Sequence, residues 1–287
     1  MFTNEKRQVK DQILKNKENK DGIEIHPAAD FEGMRRAGRL AAEVLDIITE
    51  HVQVGVTTDE LNTICHDFII KNGAIPAPLN YRGYPKSICT SIDEVVCHGI
   101  PNSDKLKDGS IMNIDVTVIL DGWYGDTSRM YILGEPKIKA KRLVDVTYES
   151  MMAGINAVKP GATLGDISRA IQKVAHTAGY SVVRDFCGHG LGTVFHTEPQ
   201  ILHYYEKVSP SEPDPWSIVL EPGMFFTIEP MINTGKYSTK VLADGWTATT
   251  RDKGLSAQFE HSMAVTETGV EIFTLSPKGL NKPPYNI

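Results

Sequence analysis

From Asn113 to Leu120 apolar and polar residues alternate, with Ile114, Val116 and Val118 on one face and Asn113, Asp115 and Thr117 on the other. A period of two over this length predicts a half-buried strand. Asp121-Gly122 follows and predicts a two-residue hairpin turn, because both turn positions need positive φ. That turn sets the register of the returning strand. Leu120 faces Trp123 and Thr117 faces Asp126. Asp115, on the face of Thr117, becomes a diagonal neighbour of Asp126, roughly 7–8 Å away at Cα.

Elsewhere the period lengthens to that of a helix. Met34, Ala37, Ala41, Val44 and Ile48 recur along one face of a helix beginning after Asp30, and another should run near 139–157, before Pro160. Two further helices read as copies of each other. Residues 54–61, with Gly55, Thr57 and Glu60, resemble residues 160–167, with Gly161, Thr163 and Asp166, at an offset of 106. Each Thr-x-x-acid is a capping box that opens a helix, and Gly73 and Gly179 stop the two segments at equal lengths. Leu61, Ile64 and Phe68 correspond to Ile167, Ala170 and Val174 as one helix face. The duplication suits a site built between two pseudo-equivalent halves. Residues 204–216 contain Ser-Pro-Ser-Glu-Pro-Asp-Pro and read as an extended surface loop. Residues 277–287 read as an extended tail.

Composition narrows the class. At 287 residues and 41% hydrophobic content the chain can bury a large core as one α/β domain. A net charge of −6 gives no global attraction to nucleic acid or an anionic membrane. No run approaches the ~18 apolar residues of a membrane span, and the N-terminus lacks a signal peptide's apolar region. Cys65, Cys89, Cys97 and Cys187 form no C-x-x-C pair or disulfide framework, which fits a reducing, cytoplasmic setting. Cys97 lies beside His98, but adjacent strand residues point to opposite faces, so the pair is no catalytic dyad. Residues 1–25 mix Lys6, Arg7, Lys10, Lys15, Lys17 and Lys20 with acids. This argues against a transit peptide and leaves a polar arm whose lysines offer a contact for ribosomal RNA. No oligomerisation pattern appears, so the expected state is a monomer.

Two carboxylates aimed at one spot repel unless a proton, an arginine or a metal intervenes. The second half of the chain adds His189 in a glycine-rich turn, and Glu229 and Glu260 in strand-like runs where acidic residues are out of place. Four carboxylates carry four negative charges, which two divalent cations would balance. Hard oxygens with one nitrogen and no thiolate favour Mn(II), Fe(II) or Co(II). Singly, each residue also reads as a solvent-facing acid or an ordinary turn histidine. The glycine run at 188–192 is no phosphate loop, since no Lys-Ser/Thr follows it.

Taken together, Asp115 and Asp126, Gly188-His189-Gly190, Thr227-Ile-Glu229-Pro and Gln258-Phe-Glu260-His resemble the motifs of type I methionine aminopeptidases. So do Glu94-Val-Val-Cys-His98-Gly-Ile-Pro and Phe195-His196-Thr-Glu-Pro. The resemblance covers about residues 30 to 275, in order. It implies a pita-bread α/β fold of the α+β type, in which two pseudo-symmetric halves of helices pack on a curved, mostly antiparallel sheet. The catalytic domain would span 30–276, after a polar extension of 1–29 and before the tail.

The resemblance also implies a metal-dependent aminopeptidase that removes initiator methionine from nascent polypeptides when the second residue is small. Two divalent ions, Co, Mn or Fe(II), would be held by Asp115 on one, Asp126 and Glu260 bridging both, and His189 with Glu229 completing the second. Such ions can lower the pKa of water from 15.7 towards ~7 and so generate hydroxide for attack on the first peptide bond. Glu229 would shuttle the proton, and His98 and His196 would contact substrate and stabilise the tetrahedral intermediate. Tyr81, Tyr84, Cys89, Phe195 and Trp246 would line the methionine slot. The bulky Phe2 implies that the chain keeps its own Met1. Asp93 stands where many members carry Asn, and an acid near His98 would raise that histidine's pKa. The 204–216 loop looks longer than the family pattern, close enough behind 195–199 to shape the site's rim. Two rivals are a prolidase or X-Pro aminopeptidase, disfavoured by the compact length and the Cys-His-Gly-Ile-Pro motif, and a metal-free peptide-binding scaffold, disfavoured by the full ligand set.

Overall fold

The expected hairpin forms the centre of the first half. In the computed structural model, which describes residues 17–209 and 211–285, Ile111–Leu120 and Trp123–Ile132 pair antiparallel along their whole length. Leu120 stands opposite Trp123, Thr117 opposite Asp126, and Asp115 opposite Ser128. Asp121 and Gly122 have φ of 50° and 86°, as a primed hairpin turn demands. The basic residues before Lys17 lie outside the described residues.

Helix α1 (Asp30–Ile48) lays Met34, Ala37, Ala41, Val44 and Ile48 inward, all fully buried. With α2 (Thr58–Lys71) it covers Met112, Ile114, Val116 and Val118 of the hairpin in one apolar core. In the second half α3 (Ile138–Asn156) and α4 (Leu164–Thr177) cover Phe226, Ile228, Ile232, Phe259 and Met263 in another. Both capping boxes form in both directions, Thr57 with Glu60 and Thr163 with Asp166. The buried face of the paired helices is turned slightly from the expected one. Leu61, Cys65 and Ile69, and their counterparts Ile167, Ile171 and Ala175, form the fully buried lines, while Ile64 and Phe68 flank them. A spacing of four residues keeps such a line straight along one helix face.

The duplication extends to the strands. Gly55 N donates to Leu106 O and Leu106 N to Val56 O, while Gly161 N donates to Leu220 O and Leu220 N to Ala162 O. Ile111 pairs with Ile132 where Phe225 pairs with Ala264. Under this correspondence Ser128 and Glu260 are equivalents, and they pair with each other, Glu260 N donating to Ser128 O at 3.1 Å. The two halves therefore meet along a local twofold seam.

Both ends of the described chain fold back on the body. Lys17–Glu18 pairs with Glu24–Ile25, and the His26 ring stacks on Phe225 at 4.1 Å. The C-terminal segment, read from sequence only as an extended tail, is anchored. Asp46 on α1 pairs with Arg129 at 2.5 Å, accepts from Ser276 Oγ at 2.7 Å and from Lys278 N at 3.3 Å, and Tyr285 Oη donates to Met130 O at 2.7 Å. Among its described residues the 204–216 segment is a mostly exposed loop, as expected, and it is held at its two ends. Trp216 is 6% exposed, its Nε1 donates to Tyr204 O, and Gln172 on α4 bonds both backbone groups of Tyr205. These contacts pin the ends of the loop, with Tyr205 against α4, and leave Glu206, Lys207, Ser209 and residues 211–215 exposed.

Arg129 and Asp46 are almost completely buried, so breaking the pair leaves an uncompensated charge in the core. Asp46→Ala should therefore cost about 3–5 kcal/mol in urea unfolding. Ser276→Ala, which removes one hydrogen bond to the same carboxylate, should cost about 1 kcal/mol.

Candidate active site

The acidic residues arrive from places where sheet pairing is continuous in one half and interrupted in the other. Asp115 and Asp126 extend from the hairpin. Glu229 follows the end of Phe225–Ile228, where Pro230 cannot donate to a ladder. Its own N–H turns instead to His203 Nε2 at 3.1 Å. Glu260 lies between Ser256–Gln258 and His261–Val265, at the seam opposite Ser128. His189 is not in a turn, as the glycines around it suggest. It is the middle residue of the strand Gly188–Gly190, paired on both sides. The glycines answer to crowding: a Cβ on Gly190 would lie 2.1 Å from Glu198 O, and one on Gly188 2.4 Å from Thr227 O.

These side chains converge. His189 Nε2 is 3.6 Å from both Asp126 Oδ2 and Glu229 Oε1. One donor atom each from Asp126, His189 and Glu260 fall within 4.8 Å of one another, an arrangement able to hold a metal ion. Each is oriented by neighbours. Thr117 Oγ1 donates to Asp126 Oδ1 at 2.7 Å. Thr227 Oγ1 accepts from His189 N at 3.0 Å and donates to Glu229 Oε1 at 2.9 Å, while Gln258 Nε2 donates to Glu229 Oε2 at 3.2 Å. His189 Nδ1 lies 3.1 Å from Gly190 O, a bond that requires the ring proton on Nδ1. The Nε2 lone pair is thereby left facing the carboxylates, the tautomer a metal ligand needs.

A cavity of about 430 Å³ opens above this cluster. Asp115, Asp126, His189, Glu229 and Glu260 line it together with His98, His196, Tyr81, Tyr84, Cys89, Phe195 and Trp246, so every residue expected as a metal ligand, a catalytic histidine or a wall of the methionine slot reaches the same space. His98 has φ of 56°, an uncommon backbone state of the kind kept at functional sites. His196 Nδ1 is 3.0 Å from Tyr81 Oη, and its ring lies 4.2 Å from that of His189. Thr117, Arg82, Asp185, Phe186, Cys187 and Met231 also line the cavity without having been singled out. The hairpin register alone would have flagged Thr117; the others follow no local pattern. Among the described residues, none from 204–216 lines the cavity, so that loop does not shape the rim.

Burial raises all four carboxyl groups. Asp115 is pushed up to about 7, and Asp126, Glu229 and Glu260 lie well above the ordinary range, with neighbouring carboxylates adding to the effect of burial. Burial likewise holds His189 near 4 and His196 near 3. His98 is lowered, by burial alone, which corrects the expectation that Asp93 raises it. The Asp93 carboxylate accepts instead from Ser110 Oγ at 3.0 Å and Ile111 N at 3.1 Å. Among the described residues the only cationic side chain lining the cavity is Arg82, so their charge does not neutralise the cluster. Four hard oxygen donors and one neutral imidazole without a protein counter-charge fit divalent cations.

The sequence profile of metallopeptidase family M24 matches residues 32–267. The methionine aminopeptidase of Rickettsia prowazekii (strain Madrid E) is 62% identical over 264 residues, covering 92% of this chain and 99% of its own. That of Escherichia coli (strain K12) is 53% identical over 255 residues, 88% of this chain and 94% of its own. A crystal structure of the Rickettsia prowazekii methionine aminopeptidase matches with a TM-score of 0.84 at 61% identity, over 88% of this chain and 100% of that one. Prolidase from Pyrococcus furiosus matches at 0.67 and 20% identity, over 87% of this chain and 65% of that one, and shares the fold alone. The chain belongs to metallopeptidase family M24, a family of pita-bread hydrolases that use divalent metal. Within it, the chain stands with the type I methionine aminopeptidases.

Carboxyl groups with raised pKa bind more protons in the folded than in the unfolded chain, so their contribution to stability falls as pH rises towards the folded values. Buried histidines with lowered pKa work the other way, but only below their ordinary value of 6.5. Above that pH the carboxyl groups act unopposed. Chelator-treated protein should therefore lose thermal stability between about pH 6.5 and 8, and Mn(II) should remove the decline. A flat metal-free profile would mean that these groups are already ionised in the fold.

Proposed function

We propose that this site binds two divalent cations, Co, Mn or Fe(II), and releases the initiator methionine of nascent polypeptides whose second residue is small. The observation that carries the reading is that all five candidate ligands line one cavity whose walls also include Tyr81, Tyr84, Cys89, Phe195 and Trp246. Asp115 would hold one ion, Asp126 and Glu260 would bridge, and His189 with Glu229 would hold the other. When bound, the ions supply Lewis acidity, making water a nucleophile at neutral pH and polarising the scissile carbonyl.

The protein's own groups do the rest. The Glu229 carboxylate, oriented by Thr227 and Gln258, takes the proton of the attacking water and gives it to the leaving amine nitrogen. With Tyr81 Oη donating to Nδ1, neutral His196 carries its proton on Nε2 and offers it to the developing oxyanion. His98, across the cavity against Phe186 and Trp246, is the second substrate donor. Tyr81, Tyr84, Cys89, Phe195 and Trp246 form the methionine slot, where sulfur–aromatic contacts contribute roughly 0.3–1.5 kcal/mol.

The setting proposed is a cytoplasmic monomer. Among the described residues no helix is long and apolar enough to cross a membrane. The basic residues of the 1–25 arm, Lys6, Arg7, Lys10, Lys15, Lys17 and Lys20, are the proposed contact for transient ribosome association, which co-sedimentation of a chain lacking residues 2–25 tests.

Chelator-stripped protein should be inactive, and added Co(II), Mn(II) or anaerobic Fe(II) should restore release of methionine from Met-Ala-Ser but not from Met-Phe-Ser. Asp126→Ala should remove the activity, and His196→Ala should lower turnover about 10²–10³-fold. Cleavage of Ala-Pro-Ala would indicate a prolidase-type specificity instead. No cleavage with any metal, from folded protein, would indicate a binding scaffold.

A further inference from the structure

At the mouth of the cavity stands one guanidinium that the reaction above does not use. Residues 80–83 form a tight turn in which Asn80, Arg82 and Gly83 have φ of 66°, 47° and 88°. Positive φ is natural for glycine and tolerated by asparagine, but uncommon for a residue such as arginine. Backbone outliers of this kind cluster where a side chain must be aimed. Here the turn holds the Arg82 guanidinium 5.3 Å from the centre of the Tyr81 ring, and Tyr81 Oη in turn meets His196 Nδ1 at 3.0 Å. Arg82 is exposed and lines the cavity, yet it forms no ion pair among the described residues. Asp185 also lines the cavity, but its carboxylate is engaged by Thr239 N at 3.3 Å and Thr239 Oγ1 at 2.6 Å. Arg82 thus offers uncommitted hydrogen-bond donors and a full positive charge where a bound peptide leaves the cavity.

The cavity's 430 Å³ suits a methionine and a small second residue, so the third and fourth residues must pass its mouth. We propose that Arg82 is a specificity residue that reads those downstream positions and favours acidic side chains there. This rests on the methionine-removal reading and adds a substrate preference to it. Because the guanidinium is exposed, the preference should be modest and should weaken with salt.

The test is kcat/KM of the Mn-loaded enzyme on Met-Ala-Glu-Ser, Met-Ala-Gln-Ser and Met-Ala-Lys-Ser, at about 20 mM and about 500 mM salt. The Glu-to-Lys ratio should be about two- to fivefold at low salt and should shrink at high salt. Arg82→Lys should keep the preference, Arg82→Gln should lose it, and Arg82→Glu should reverse it. An unchanged ratio in all three variants would overturn the proposal even if every variant were slower, because Arg82 would then serve only to pack Tyr81. Failure of the wild-type enzyme to cleave the glutamine peptide would sink the methionine-removal reading, and this inference with it.

Discussion

Four carboxyl groups and a neutral imidazole share one buried space, and the rest of the molecule is arranged to bring them there. Two unit charges 4 Å apart interact by about 4 kcal/mol at an effective dielectric of 20. A few such repulsions approach the whole folding stability of an ordinary domain, about 5–15 kcal/mol. The cluster can therefore be fully ionised only with cations among the carboxylates, and otherwise keeps protons. Thr117, Thr227 and Gln258 hold the donor atoms in place in either condition. A scaffold of this kind must be rigid before the metal arrives, since the donors would otherwise spread to relieve the repulsion.

Rigidity comes from the seam. The halves correspond in their helices, caps and strand pairs, and they join through Ser128 and Glu260, which are equivalents of each other. Asp115 and Glu229 occupy matching positions, four residues beyond Ile111 and Phe225. The chemistry breaks this match. Glu260 corresponds to Ser128, whereas Asp126 corresponds to Gln258, which orients Glu229 rather than contributing a carboxylate. The backbone is symmetric across the site and the donor set is not, so its two sides present different groups to a substrate.

Much of this was legible in the chain. The Asp-Gly turn fixed a register, and the register made Asp115 and Asp126 neighbours before any tertiary contact was considered. The repeated Thr-x-x-acid boxes revealed the duplicated helices. Illegible features depended on distant partners. His189 looked like a turn residue because glycines signal turns, whereas here they make room for Glu198 O and Thr227 O on neighbouring segments. The 204–216 loop was legible from its prolines, but the contacts of Tyr205 and Trp216 that pin its ends were not. Asp93 was read by sequence proximity to His98, but its carboxylate serves the start of the Ile111–Leu120 strand. The face of α2 was read one residue out of phase, since Cys65 counts as small in sequence yet sits at the centre of the packed line.

The anchor at Asp46 has a consequence in time. Its carboxylate, on the first helix, is completed by Arg129 and by Ser276, the latter 230 residues further along. Contacts of such separation close late, because the intervening chain must first be made and ordered. As this chain emerges during its own synthesis, the first half can collapse around α1 and the hairpin while Asp46 still lacks the partners that residues 276 and 278 bring. An enzyme fitted to act on unfinished proteins would therefore reach its own finished state only after Ser276 and Lys278 had been released.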